Sequence, residues 1–162
     1  MSRIYVSIGS NIDRDAHIRA GVAALRERFR DLRLSRVYET KAVGFDGDDF
    51  YNLVVSFDSE RDVWQVASAL REIELAAGRD RRAERFAART LDLDLLLYDD
   101  LVIDEDGIRL PREEILEYAF VLGPLAEIAP DVRHPVLGTT FGALWKEFHR
   151  AEGALVPVSF RW

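Results

Sequence analysis

Hydrophobic positions recur along the chain with two different periods, and the order in which those periods alternate predicts the fold. Residues 3–9 (RIYVSIG) read as a strand that ends at the turn-forming group Gly9-Ser10-Asn11. Apolar residues Ile18, Val22, Leu25 and Phe29 then follow at helical spacing, with Asp13 or Asp15 as a candidate cap. Residues 32–40 (LRLSRVYET) return to a strand pattern, a loop rich in glycine and aspartate covers 43–49, and 50–58 (FYNLVVSFD) predict a third strand. Val63, Val66, Leu70 and Ile73 mark a second helix from about residue 62 to 77, with Gly78 as its stop. Residues 91–98 (LDLDLLLY) form a fourth strand, and a hairpin with its turn at residues 104–107 (DEDG) comes next. The remainder carries a short helix near 112–118, an apolar stretch over 120–130, a loop at 134–138, a helix over 140–148 and a last strand within 155–160. The order β-α-β-β-α-β with appended elements predicts one α+β domain over residues 1–162, an antiparallel sheet covered by helices.

Composition narrows the class. With 162 residues, 48% of them hydrophobic and 31% charged, the chain has the make-up of an ordinary soluble domain with a sizeable core. It has no cysteine, which removes disulfides and thiolate chemistry. A formal net charge of −7 argues against binding nucleic acid broadly, because that mode works by neutralising many phosphates. No apolar run approaches a membrane span, and residues 1–11 lack the pattern of a signal peptide, so the cytoplasm is the expected compartment.

The segment with the most chemistry is RTLDLDLLLYDD, residues 89–100. On a strand, Leu91, Leu93 and Leu95 face one way while Asp92 and Asp94 face the other, about 7 Å apart at Cα. Two anions sharing one surface call for an offset, and a hard divalent cation such as Mg²⁺ supplies one. Just upstream, residues 78–89 carry Arg79, Arg81, Arg82, Arg85 and Arg89 against only Asp80 and Glu84. Focused positive charge beside paired carboxylates suits a metal-bound polyphosphate. A solubilising strand next to a charged surface loop explains the same residues equally well, and on this segment alone both readings stand. No G-x-x-x-x-G-K-[ST] loop and no zinc-type histidine spacing occurs; His17, His134 and His149 read as structural.

The segments YVSIGSNI, VYET, VGF, FYNLVV, IELAAGR, RTLDLDLLLYDD and FVLGPLAEIAPDVRHPVLG occur in that order over nearly the whole chain. In them the sequence resembles the 6-hydroxymethyl-7,8-dihydropterin pyrophosphokinases of folate biosynthesis. That resemblance implies a ferredoxin-like, three-layer α/β/α fold, and transfer of pyrophosphate from ATP to the pterin hydroxymethyl group with release of AMP. It implies two Mg²⁺ ions on Asp92 and Asp94, with Arg79 and Arg89 on the phosphates. Glu74, Arg81, Arg82 and Arg112 fall at nucleotide-side positions. Phe50 and Phe120 match two rings that sandwich the pterin, Asn11 and Asn52 match amides that read its edge, and Thr40 and Val43 match backbone contacts. Without the resemblance, phenylalanines in apolar strands read as core, an asparagine after Gly-Ser reads as a turn residue, and Glu74 reads as an exposed helical glutamate.

The chain also departs from the family pattern. Lys41-Ala42 stand where Pro-Pro is usual, and Phe86-Ala87-Ala88 where Trp-Gly-Pro is common. Arg112 replaces a histidine and Tyr118 an arginine. These changes cluster around the ligands while the scaffold motifs remain. The expectation is an active, monomeric pyrophosphokinase with small-molecule substrates; the alternative is a pterin- or nucleotide-binding paralogue without activity or with altered specificity. An RNA-binding module, the third option, is opposed by the net charge and by the lack of an aromatic-glycine RNA motif.

Overall fold

The computed structural model describes residues 1–41, 49–78, 91–152 and 155–162, with backbone only for 149–152. Strand β1 (Ser2–Ser10) runs up the middle of the sheet, followed by helix α1 (Arg14–Phe29), strands β2 (Arg33–Leu34), β3 (Tyr38–Thr40) and β4 (Phe50–Ser59), helix α2 (Val63–Ala76) and strand β5 (Asp92–Tyr98). A hairpin of β6 (Ile103–Glu105) and β7 (Ile108–Leu110), helices α3 (Glu114–Glu117), α4 (Ala119–Ile128) and α5 (Phe141–Glu152), and strand β8 (Val156–Pro157) complete the described elements. The sheet order is β5-β1-β4-β3-β8 with β2 also on β4, and the pairings are antiparallel. This is the expected α+β sheet in ferredoxin-like order, extended at one edge by the C-terminal β8.

One face of the sheet presents Ile4, Val6 and Ile8 of β1, Leu53, Val55 and Phe57 of β4, and Leu91, Leu93 and Leu95 to α1 and α2. The helices answer with Ile18, Val22, Leu25, Val66, Leu70 and Ile73, the residues whose spacing predicted them. Gly21 lets α1 approach closely, since a Cβ there would stand 3.1 Å from both methyls of Leu91. The opposite face packs Tyr5, Val54, Leu96 and Leu97 against α3, α4 and α5. All three leucines 95–97 are buried because β5 bulges: Val6 pairs with Leu95 but Tyr5 with Leu97, so Leu96 is the extra residue and the alternation restarts on the other face.

Two local expectations change, and a stretch left without an element gains one. The strand expected over 32–40 breaks into β2 and β3, because three residues (35–37) oppose two (53–54) on β4. Ser35 bridges the break; its N–H donates to the Val54 carbonyl at 2.9 Å and its Oγ accepts from the Val54 N–H at 3.0 Å. Asp13 occupies the cap position of α1 with φ 42°, and its side chain makes no cap hydrogen bond; Asp62 does form a reciprocal capping box with Gln65 on α2. The apolar stretch over 120–130 forms most of helix α4 (Ala119–Ile128), buried apart from residues such as Glu127 and with Pro124 inside it.

Helix α4 is fixed at both flanks. Near its C-terminus, Glu127 accepts the Tyr38 hydroxyl of β3 and, at 2.8 Å, the Arg36 N–H. Burial, then that hydrogen bond, pushes the Tyr38 hydroxyl up to about 12, so it remains a donor. On the side facing α5, Gly123 leaves room for Trp145 and Leu155: an added Cβ would sit 2.5 Å from Leu155 Cδ1 and 3.0 Å from Trp145 Cη2. Gly123→Val should therefore lower stability by about 1–3 kcal/mol through overpacking. In a urea titration this is read as a lower midpoint with an unchanged slope.

Candidate active site

Directly opposed residues in an antiparallel ladder point to the same side, so the register maps the site. Gly9 opposes Asp92 on one neighbour and Asn52 on the other, and Asn52 in turn opposes Tyr38. Ser7 opposes Asp94 and Val54 in the next row, while Thr40 opposes Phe50 at the rim. Asp92, Asp94, Asn52, Phe50 and Thr40 thus share the face that carries α4. The carboxylates and Asn52 are two strand spacings apart, roughly 10 Å. Between them lies Gly9, whose missing side chain is required: a Cβ there would stand 2.9 Å from Asn52 Oδ1.

Asn52 is 4% exposed and its Nδ2 donates to Thr40 Oγ1 at 2.6 Å, tying β4 to β3 at the rim. Asn11 is equally buried just beyond the end of β1, where the Ser10 hydroxyl donates to the Ile12 carbonyl at 3.1 Å and shapes the turn. Phe50 and Phe120 are both half-buried. Phe120 sits in the first turn of α4 and is stacked on Tyr118, with ring centroids 5.0 Å apart and 21° between planes. The residue that departs from the family pattern thus packs on one of the two rings expected to hold a ligand.

Carboxylates crowd the edge strand. Glu74 is only 3% exposed, and its Oε2 accepts the Leu93 N–H at 2.8 Å. This corrects the reading of Glu74 as an exposed helical residue. Because β5 lies at the sheet edge, Leu93 finds no strand partner on that side, and α2 supplies one instead. The spacing Val66, Leu70, Glu74 already placed the glutamate on the buried stripe, a signal that its charge obscured. Arg112 supplies the opposing charge: its Nη2 lies 3.4 Å from Asp94 Oδ1, its Nε donates to Glu114, and its backbone N–H donates to the Leu96 carbonyl at 3.1 Å. With Arg71, Glu74, Asp94 and Arg109, Arg112 lines a cavity of about 230 Å³.

Burial first, then the neighbouring Asp92, raise the Asp94 carboxyl to about 8; Glu74 adds to this and Arg112 opposes it. A bound cation would relieve that strain. Among the described residues no group of three or more histidines, cysteines or carboxylates is arranged for metal. The two carboxylates offer hard oxygen donors of the kind that Mg²⁺ accepts alongside water and phosphate oxygens. Arg79, Arg81, Arg82, Arg89 and Val43, expected from the sequence to contribute, lie outside the described residues.

Residues 5–130 match the family model described as 7,8-dihydro-6-hydroxymethylpterin-pyrophosphokinase. The chain belongs to this family. Its similarity to named pyrophosphokinases spans most of both partners. It is 32% identical over 138 residues to the 2-amino-4-hydroxy-6-hydroxymethyldihydropteridine pyrophosphokinase of Aquifex aeolicus, covering 84% of this chain and 86% of that one. With the Pseudomonas aeruginosa enzyme of the same name it shares 37% over 140 residues, covering 83% and 85%. Solved HPPK-DHPS structures share the fold. One in complex with substrates gives a TM-score of 0.75 at 10% identity, covering 93% of this chain. A Plasmodium falciparum wild-type structure gives 0.68 at 14%, covering 94%. This chain spans 44% and 45% of those two longer chains. In this chain the carboxylate pair and the Asn52 rim are the parts of the candidate site that the register brings onto one face.

The raised Asp94 carboxyl has a consequence for stability. Without metal the folded chain holds a proton that the unfolded chain, with an ordinary value of about 3.9, has already lost. The folded state then binds more protons, so this group's contribution is fully present below about pH 4 and is lost as pH rises towards about 8. In chelator, Asp94→Asn should raise the melting temperature at pH 8 by about 5 °C, corresponding to ~2 kcal/mol, and change it little at pH 4. Equal shifts at both pH values would refute the assignment.

Proposed function

We propose that this chain transfers pyrophosphate from ATP to the hydroxymethyl group of 6-hydroxymethyl-7,8-dihydropterin in folate biosynthesis, releasing AMP. The observation that carries this reading is the pairing of Asp92 with Asp94 on the same sheet face as Asn52, one glycine-bearing strand away, in a member of the pyrophosphokinase family. The hydroxyl oxygen of the pterin attacks the β-phosphorus of ATP. The bond from that phosphorus to the α–β bridging oxygen breaks, AMP departs, and the hydroxyl proton passes to solvent.

Asp92 and Asp94 would hold two Mg²⁺ ions, and Glu74 keeps the backbone of β5 in place beneath the two carboxylates. Bound Mg²⁺ would neutralise phosphate charge and make the β-phosphorus more electrophilic. Arg112 reaches the phosphates from the Asp94 side with a permanent charge. Arg79, Arg81, Arg82 and Arg89 complete the nucleotide side on the strength of the family resemblance. Phe50 and Phe120 take the flat pterin between them, and Asn11 and Asn52 pair with its donor and acceptor edge, with Thr40 and Val43 beside them. The arrangement gives positioning and charge stabilisation, which is most of what phosphoryl-group transfer asks of a protein.

A single domain over residues 1–162, acting as a cytoplasmic monomer, is enough for this chemistry, since every role above falls within one chain. Among the described residues no helix is long and apolar enough to cross a membrane.

AMP release from ATP and Mg²⁺, with and without 6-hydroxymethyl-7,8-dihydropterin, tests the reading. Pterin-dependent AMP should appear with the wild-type chain and fall by about 10³-fold or more in Asp92→Ala and in Asp94→Ala, each shown to be folded by circular dichroism. Full activity in either variant would sink the mechanism. A folded wild-type chain that binds the pterin and yields no AMP would select the non-catalytic paralogue.

A further inference from the structure

Arg14, in the first turn of α1, contacts both strands that lead to the rim of the site. Its Nη2 pairs with Glu39 of β3 at 2.8 Å, its Nη1 donates to the Asp49 carbonyl just before β4 at 3.0 Å, and its guanidinium carbon lies 3.8 Å from the centre of the Tyr51 ring. Glu39 opposes Tyr51 across the ladder, on the face turned to α1. Thr40, Phe50 and Asn52 alternate with them and point to the site. The C-terminal segment braces the same place: the edge of Phe160 meets Tyr51 at 6.0 Å, Arg19 donates to the Arg161 carbonyl at 2.6 Å, and β8 pairs with Tyr38 and Glu39.

We infer that Arg14 is a positioning residue for pterin binding, a clasp behind the sheet that fixes the spacing of β3 and β4 where Thr40, Phe50 and Asn52 leave them. The inference rests on the proposed pterin role of those three residues. Arg14 lies on the other face, bound to Glu39 and to the Asp49 carbonyl, and acts on Thr40, Phe50 and Asn52 through the backbones of β3 and β4. A planar guanidinium is suited to three partners at once: it forks between a carboxylate and a carbonyl while stacking on an aromatic ring. A lysine at this place keeps the charge and loses the fork.

The test compares wild-type, Arg14→Ala and Arg14→Lys chains by calorimetric titration with 6-hydroxymethyl-7,8-dihydropterin, in Mg²⁺ and α,β-methylene ATP, with thermal melts alongside. The expected result is pterin affinity weakened by about tenfold in Arg14→Ala and less in Arg14→Lys, with affinity for the ATP analogue within about twofold of wild type. In steady-state assays, KM for the pterin should rise more than kcat falls. Equal weakening of both ligands, or a lower melting temperature with unchanged pterin affinity, would overturn the inference and leave Arg14 a purely structural residue. A folded wild-type chain that fails to bind the pterin would instead overturn the functional reading, and that failure is distinguished by appearing before any substitution is made.

Discussion

The organising constraint is the repulsion between Asp92 and Asp94. Burial, then the charge of Asp92 beside it and Glu74 behind, pushes the Asp94 carboxyl towards the protonated form, and the fold holds the pair together nonetheless. It does so by burying Leu91, Leu93 and Leu95 on the reverse face, capping the Leu93 N–H from α2, and pairing β5 along its length with β1. The hydrophobic contacts of the first core thus hold a charge arrangement that is unfavourable by itself. Packing that keeps the carboxylates in place leaves only the Asp94 proton to be displaced by a cation, which is the pre-organisation that electrostatic stabilisation calls for.

Much of the scaffold was legible because its burial follows simple periods. The stripe Ile18, Val22, Leu25, Phe29 and its counterpart in α2 are found where helical spacing put them, and Leu93 and Leu95 of β5 face away from Asp92 and Asp94 as alternation demands. The features that escaped are departures from period. Ser35 breaks a strand by lending its hydroxyl to the ladder, and Leu96 is an inserted residue in an otherwise regular run. Neither is visible without a partner strand to count against. The helix over 119–128 escaped for a different reason: its residues are apolar apart from Glu127, so little contrast marks one face, and Pro124 argues against helix locally while tertiary packing overrides it.

The candidate site was legible as chemistry and not as geometry. Paired aspartates and the family motifs named Asp92, Asp94 and Asn52, but their placement on one face depends on a sheet order that joins residues 9, 52 and 92 across three strands. Glu74 and Arg14 show the limit most clearly. A buried glutamate and an arginine that holds two strand ends both look like solvated surface charge in a linear reading, since their partners lie far away along the chain.

Gly9 gives the two halves of the site a common ruler. Asn52 and Asp92 stand opposite the same residue of the central strand, so the distance between them is set by two ladder spacings rather than by any side chain. A substitution at either end of that span therefore exchanges a side chain without altering the distance across which the two halves of the candidate site face one another.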